Sequence, residues 1–397
     1  MANAENERLG ILLLNPIAPA GLARLPAERY RVGKDLSDPA AVLVRSADMH
    51  TIDIAASVRA IARAGAGTNN IPVKQLSARG VPVFNAPGAN ANAVKELVLA
   101  GMLMAARHIS PALQFVNGLD LQSAALETTV EDGKKNFAGY ELQGQTLGIV
   151  GLGKIGCLVA DAAIRLGMQV LGYDPDITVD AAWSLPSQVK RAASVNEVLR
   201  SAQFVTMHVP LLPATRGLVN HANIGLMRAG GVLLNFSRDG VVDNTAVAEA
   251  LAGDKLGAYI CDFPSHELPR HPRIVTLPHL GASTREAEEN CAVMVVDQLR
   301  AYLEHGEVDN AVNFPSVSMA RESTWRIAIA NANVPNMLGQ ISTTMANAGL
   351  NIHNMVNKSR GEMAYTLVDV DSAVDAAVLA QLRGIQGVLA VNYLPGN

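Results

Sequence analysis

The sequence has little charge, few cysteines and no long apolar run. Charged residues make up 17% of the chain against 49% hydrophobic, which excludes a chain too polar to bury a core. The formal net charge of -4, with no basic block anywhere, argues against a nucleic-acid binder, because affinity for a phosphate backbone comes from clustered Lys and Arg. The cysteines, Cys157, Cys261 and Cys291, are far apart, in apolar or small-residue surroundings and without metal-ligand spacing. They read as buried thiols in a reducing cytoplasm, and no metal site is expected. No uncharged apolar run reaches the ~18 residues that span a bilayer. The opening MANAENERLG lacks a positive segment followed by an apolar one, so neither membrane insertion nor export is expected.

What is present is enough apolar material for several cores, since 397 residues exceed the size at which one core keeps growing. Runs that are apolar throughout, ILLL at Ile11, AVLV at Ala41 and VPVF at Val81, suit parallel strands covered on both faces, so residues 1–91 predict a small doubly wound unit. A helix is predicted from Asn92 to Arg107. Six strand-like runs follow, at Leu147, Gln169, Phe204, Gly231, Gly257 and Arg273, as a dinucleotide-binding sheet requires. A long helix is predicted over Thr284 to Gly306, and NAVNFPSVSM at Asn310 reads as a strand or linker returning to the first unit.

The expected fold is thus α/β, with two doubly wound parallel-sheet (Rossmann-like) domains and a crevice between them. The substrate domain spans 1–91 and 285–317, and the dinucleotide-binding domain 92–284. From 322 to 397 the order strand, helix, strand, strand, helix, strand predicts a small α+β ferredoxin-like domain that packs against a partner copy.

GLGKIG, Gly151 to Gly156, follows an apolar run and enters a helical pattern. In that context Gly151 permits a tight turn, Gly153 lets backbone approach a pyrophosphate, and Gly156 allows close helix–strand packing. The pyrophosphate would sit on the helix N-terminus. Asp174 ends the next strand; a carboxylate there accepts from ribose hydroxyls and repels a 2'-phosphate, which favours NAD over NADP.

Arg238, Glu267 and His279 each follow a predicted strand, on the edge of an open α/β sheet where ligands bind. The three suit oxidation of a secondary alcohol. A neutral His takes the hydroxyl proton, Glu267 accepts its other ring N–H, and Arg238 offers a planar fork to a carboxylate. His208, at the end of another strand, is the rival base and otherwise lines the cofactor crevice. His50, His108, His221, His271, His305 and His353 have no motif around them and read as surface or structural.

Several segments together resemble the D-isomer-specific 2-hydroxyacid dehydrogenases over nearly the whole chain. They are GAGTNNI at Gly65, FNAPGANANAVKELVLAGML at Phe84, GLGKIG with Asp174, HVPLLPATRGLVN at His208, NFSRDGVVD at Asn235, CDFPSHE at Cys261 and LPHLGASTREAEENCA at Leu277. The resemblance implies Arg238, Glu267 and His279 as the catalytic set. It places NAD against Gly151, Gly153, Lys154, Ile155, Gly156, Asp174, His208, Pro210, Phe236, Ser237, Arg238, Asp262, His279, Gly281 and Ala282.

Within the family the chain resembles the branch that oxidises 3-phosphoglycerate to 3-phosphohydroxypyruvate, the first step of serine biosynthesis. Arg45 and Ser46 in ValArgSer, and Asn90 in GANAN, match substrate positions of that branch, alongside Arg238 and His279. The C-terminal segment resembles an ACT domain, in which Asn331, Asn333 and Asn351 match contacts to an L-serine effector. A homodimer through the cofactor domain, or a tetramer through ACT pairing, is implied. Departures from the family pattern are Asn69 for a usual Asp, Asp239 for a common Gly after the catalytic Arg, and Asn336 for a usual Gly. Competing expectations are a reductase of glyoxylate or hydroxypyruvate, which needs no Arg45, and an NAD-sensing corepressor-like binding protein on the same fold.

Overall fold

The computed structural model describes residues 8–396; the first seven residues, part of the segment read for export signals, lie outside them, as does Asn397. Two compact units are formed, one by residues 8–90 with 285–396 and one by 91–284. Among the described residues no helix is long and apolar enough to cross a membrane.

In the first unit five parallel strands are ordered β2-β1-β3-β4-β5. They are β1 (Leu9–Leu13), β2 (Tyr30–Gly33), β3 (Ala41–Val44), β4 (Ala60–Arg63) and β5 (Val83–Phe84). The sequence reading found only β1, β3 and β5. Strand β2 lies on the sheet edge and exposes Arg31 and Val32, while β4 is half alanine, so neither carries a strong apolar signal. Beyond β5 a later segment of the chain returns to this sheet: Phe84 bridges Ala311 antiparallel, and Asn313 accepts the Val83 N–H while donating to Ser77 Oγ and Val81 O.

The second unit holds seven parallel strands in the order β12-β11-β10-β9-β6-β7-β8. These are β6 (Thr146–Val150), β7 (Gln169–Tyr173), β8 (Lys190–Arg191), β9 (Phe204–Met207), β10 (Gly231–Asn235), β11 (Leu256–Cys261) and β12 (Ile274–Thr276). The six expected strands are all there, and β8 is a two-residue edge addition. Strands β9 and β10 are buried at every position because helices cover both faces, which is why their sequences do not alternate. Strand order reverses between β6 and β9, creating the switch point at which open α/β sheets bind ligands.

The C-terminal sheet is antiparallel, with order β14-β15-β13-β16, the ferredoxin-like arrangement. Its strands are β13 (Trp325–Ala332), β14 (Ile352–Arg360), β15 (Met363–Val370) and β16 (Val388–Pro395). Period-two alternation divides its faces. Ile327, Ile329, Val368 and Val370 pack under the helices Met337–Asn347 and Ala376–Gly384. Ala328, Ala330, Tyr365 and Leu367 join the core built by Phe84, Phe314 and Tyr302. This sheet therefore shares a core with the first one, within a single compact unit. The long helix Arg285–His305 is fixed to it by Arg326, whose guanidinium is fully buried, pairs with Asp369 at 2.7 Å and donates to His305 O at 3.1 Å.

Candidate functional site

In a parallel sheet all strands end on the same edge, and here that edge carries most of the residues singled out by sequence. Strand β6 runs into the glycine turn. Gly151 has φ +94°, and a Cβ there would lie 2.4 Å from His208 O, so only glycine fits between the ends of β6 and β9. The helix Lys154–Arg165 starts from Gly153 without a capping side chain, and a Cβ on Gly153 would meet nothing within 4 Å. Its first N–H groups have neither an acceptor within the helix nor a capping side chain among the described residues, an arrangement that favours an anion. Lys154 is exposed, Ile155 half-buried and Gly156 buried.

Asp174 is tied to that turn. Its Oδ2 accepts the Leu152 N–H at 2.8 Å and its Oδ1 the Asp176 N–H at 2.9 Å, which fixes the carboxylate at the end of β7. His208, ending β9, shares a hydrogen bond with Thr206 Oγ1 at 3.0 Å through Nε2. Its Nδ1 is buried and has no hydrogen-bond partner among the described residues. Burial pushes the ring down to about 4, so it is neutral at physiological pH. An orphaned ring nitrogen beside an uncapped helix start and a fixed carboxylate fits a polar nucleotide, and these groups are compatible with NAD. Pro210, two residues on, is exposed.

The β10 and β11 ends are organised by two buried polar side chains. Asn235, only 1% exposed, accepts the Ser237 N–H at 3.2 Å and the Ser237 hydroxyl at 2.9 Å through Oδ1, and donates from Nδ2 to Arg238 O at 3.0 Å. It therefore sets the turn that carries Arg238, which is half-buried with one guanidinium nitrogen on Ser237 O at 2.6 Å. Asp262 lies beside it in the sheet, its N–H donating to Asn235 O. The Asp262 carboxylate accepts the N–H groups of Leu280 and Gly281, while its carbonyl accepts that of His279. His279 has φ +57°, a left-handed backbone uncommon for any residue but glycine, and Asp262 holds the turn in that shape. The Phe263 ring lies edge-on to the imidazole, centroids 5.1 Å apart.

Sequence reasoning missed Asn235 and Phe263. The signal for Asn235 was available: a polar residue closing an otherwise apolar strand must find buried partners. Two expected contacts look different in the fold. The Phe236 ring belongs to the core against Gly101, leaving only its backbone for the edge. Glu267 is exposed and its carboxylate makes no hydrogen bond among the described residues; the ordered contact is its own N–H on Ser265 Oγ. Gly281 is buried against Asp262 and Ala282 half-buried.

In the other unit Arg45 and Ser46 follow β3. Arg45 pairs with Glu288 of the long helix at 2.5 Å, both side chains about 40% exposed, and Ser46 is exposed. Asn90 is half-buried at the unit's boundary. In the C-terminal sheet Asn331 is buried; its Nδ2 donates to Ala332 O and its Oδ1 has no partner among the described residues. Asn333 donates to Gly361 O, and Asn351 is exposed.

A parallel sheet with a strand-order switch, a glycine turn opening an uncapped helix and a fixed acid on the next strand define a dinucleotide-binding enzyme fold. Residues 99–281 match the NAD-binding domain of the D-isomer specific 2-hydroxyacid dehydrogenases. The chain belongs to that family. It is 33% identical over 340 residues to the D-3-phosphoglycerate dehydrogenase of Haemophilus influenzae, covering 83% of this chain and 79% of that one. It is also 33% identical over 344 residues to the D-3-phosphoglycerate dehydrogenase of Methanocaldococcus jannaschii, covering 84% of this chain but only 62% of the relative's length. Among solved structures, the NAD+-bound 3-phosphoglycerate dehydrogenase of Entamoeba histolytica superposes with a TM-score of 0.61 over 77% of this chain and 98% of that one, at 24% identity.

Proposed function

We propose that this chain oxidises 3-phospho-D-glycerate to 3-phosphohydroxypyruvate with NAD, the entry step of serine biosynthesis. The observation that carries the reading is the pair of buried side chains, Asn235 and Asp262, that anchor the turns bearing Arg238 and His279 on one sheet edge. Arg238 and His279 leave strands two spacings apart, about 10 Å, a separation that a small hydroxy acid and two side chains bridge.

Gly151 to Gly156 and Asp174 would hold the pyrophosphate and adenosine ribose, with His208 and the backbone of Ser237 lining the same cleft. When bound, NAD supplies the two-electron acceptor. Arg238 binds the substrate carboxylate in a bidentate fork and orients the alcohol carbon. His279, held in position by Asp262, removes the hydroxyl proton. Glu267 accepts the second ring N–H and stabilises the imidazolium; this needs the exposed side chain to swing onto the ring. Arg45, Ser46 and Asn90 take the phosphate. The Arg45–Glu288 pair is surface-exposed and therefore weak, so a phosphate can displace Glu288.

The 322–396 segment is proposed as an ACT-like regulatory domain, on its ferredoxin-like strand order and the unpartnered Asn331 Oδ1. L-serine is the proposed effector. A homodimer or homotetramer is the proposed assembly; Leu113 and Val116, 56% and 47% exposed on a helix with no buried residue, support contact with another copy.

The test is kinetic. Arg45→Ala is expected to raise KM for 3-phosphohydroxypyruvate strongly while changing that for hydroxypyruvate little. Equal effects on the two would move the assignment to a reductase of unphosphorylated acids, and absence of turnover with either would favour a binding protein.

A further inference from the structure

The Arg45–Ala47 turn is clamped by asparagine side chains from two sides. Asn15, just beyond β1, accepts three successive backbone N–H groups on its Oδ1: Arg45 at 2.9 Å, Ser46 at 3.0 Å and Ala47 at 3.0 Å. Asn70 donates from Nδ2 to Ala47 O at 2.7 Å and to Arg45 O at 3.4 Å, and its Oδ1 accepts from Arg63 Nε at 3.2 Å. Three convergent N–H groups form the kind of concavity that binds anions. Here a neutral amide oxygen fills it. The backbone of the turn is closed to ligands, and what the turn offers outward is the Arg45 guanidinium and the Ser46 hydroxyl.

The same three donors fix which way the Asn15 amide points, since exchanging its oxygen and nitrogen would set an NH2 group against three N–H groups. Asn15 Nδ2 therefore faces Ser46 Oγ, 3.4 Å away, and donates to it. With its oxygen accepting, the Ser46 hydroxyl keeps its own hydrogen for an acceptor outside the turn.

We propose that Asn15 is a positioning residue that sets anion specificity: it orients Ser46 as a hydrogen-bond donor beside Arg45 and so selects the phosphorylated acid. This rests on the reading above, in which Arg45 and Ser46 meet the phosphate. An aspartate at position 15 would still accept all three N–H groups. It would also draw the Ser46 hydrogen inward and place a negative charge under the subsite. The exchange thus separates a structural role, which Asp preserves, from a specificity role, which Asp destroys.

Asn15→Asp, Ser46→Ala, their combination and Arg45→Ala are compared in the full chain with NADH, using 3-phosphohydroxypyruvate and hydroxypyruvate as substrates. Asn15→Asp is expected to raise KM for the phosphorylated acid about tenfold or more, the scale of one lost hydrogen bond to a charged group. The KM for hydroxypyruvate and both kcat values stay within about twofold. Ser46→Ala, a change at an exposed position, reproduces the same selective rise, and its addition to Asn15→Asp contributes little more. Unselective or absent effects of either single change overturn the proposal. If Arg45→Ala discriminates between the substrates and Asn15→Asp does not, only the role of Asn15 falls; if Arg45→Ala fails to discriminate, the phosphate reading falls with it.

Discussion

The Asp262 carboxylate accepts the Gly281 N–H at 2.7 Å through one oxygen and the Leu280 N–H at 2.7 Å through the other. A carboxylate spent in this way shapes backbone, and the backbone it shapes is the left-handed turn at His279. Asp262→Asn keeps the size but replaces one acceptor by an NH2 group facing an N–H. Loss of a charge-assisted bond of about 1.5–3 kcal/mol is expected to appear as reduced resistance to urea and as a kcat about tenfold lower. An unchanged kcat in a destabilised variant would confine Asp262 to a structural role.

His279→Ala is expected to lower kcat about 100-fold or more, with NAD affinity by fluorescence titration retained. Near-normal turnover would transfer the proton-accepting role to His208. The pH profile gives an independent reading: a kcat/KM that holds its acid limb down to pH 4 matches the depressed His208 ring.

His208 also makes stability depend on pH. Burial holds the folded ring down at about 4, while the unfolded chain takes up its proton near 6.5. Above 6.5 both states are neutral there and the group has no effect. As pH falls from 6.5 towards 4 only the unfolded chain binds the proton, so stability declines, by roughly 3 kcal/mol across the window. Denaturant unfolding at pH 7 and 4.5 is expected to show a smaller loss in His208→Asn than in the parent; an equal loss would place the titrating group elsewhere.

Asp174→Ala removes the fixed carboxylate and frees the Leu152 and Asp176 N–H groups it holds. The ratio of kcat/KM for NAD over NADP is expected to fall by at least about tenfold. A ratio that did not move would mean that the adenosine end is recognised by other groups.

Asp369 makes a further case. Burial alone would push its carboxyl up, but hydrogen bonds from Arg326 and the Glu322 N–H hold it below its ordinary value. Asp369→Ala leaves the fully buried Arg326 without its counter-charge and is expected to cost about 3–5 kcal/mol in chemical denaturation. The double change Arg326→Met with Asp369→Leu is expected to recover most of that loss, whereas a double variant as unstable as the single would mean that Arg326 matters through its bonds to His305 and Ala320 carbonyls.

What the sequence made legible followed from periodicity and fixed spacing. Strand-like runs rich in apolar residues located the six main strands of the second sheet, and the distance from the glycine turn to Asp174 matched the end of the next strand. Strand β4 escaped because Ala60 and Ala62 give little hydrophobic signal, although the long helix Arg285–His305 packed over that face of the sheet buries them completely. The clamps were out of reach for another reason: Asn15 serves residues some thirty positions along the chain, and such pairings exist only after folding. Glu267 shows the complementary case: a motif specifies the residue, yet its exposed carboxylate makes no hydrogen bond among the described residues.

The long helix Arg285–His305 touches two places of different character. Near its first turn Glu288 faces Arg45, and at its last residue the backbone carbonyl of His305 rests in the grip of Arg326. Twenty-one residues of helix make a stiff rod of about 30 Å. A strain imposed on the C-terminal sheet therefore has a mechanical route to the guanidinium at residue 45: the rod must either slip from its buried socket or shift the Glu288 carboxylate that pairs with it, and with it the phosphate seat proposed there.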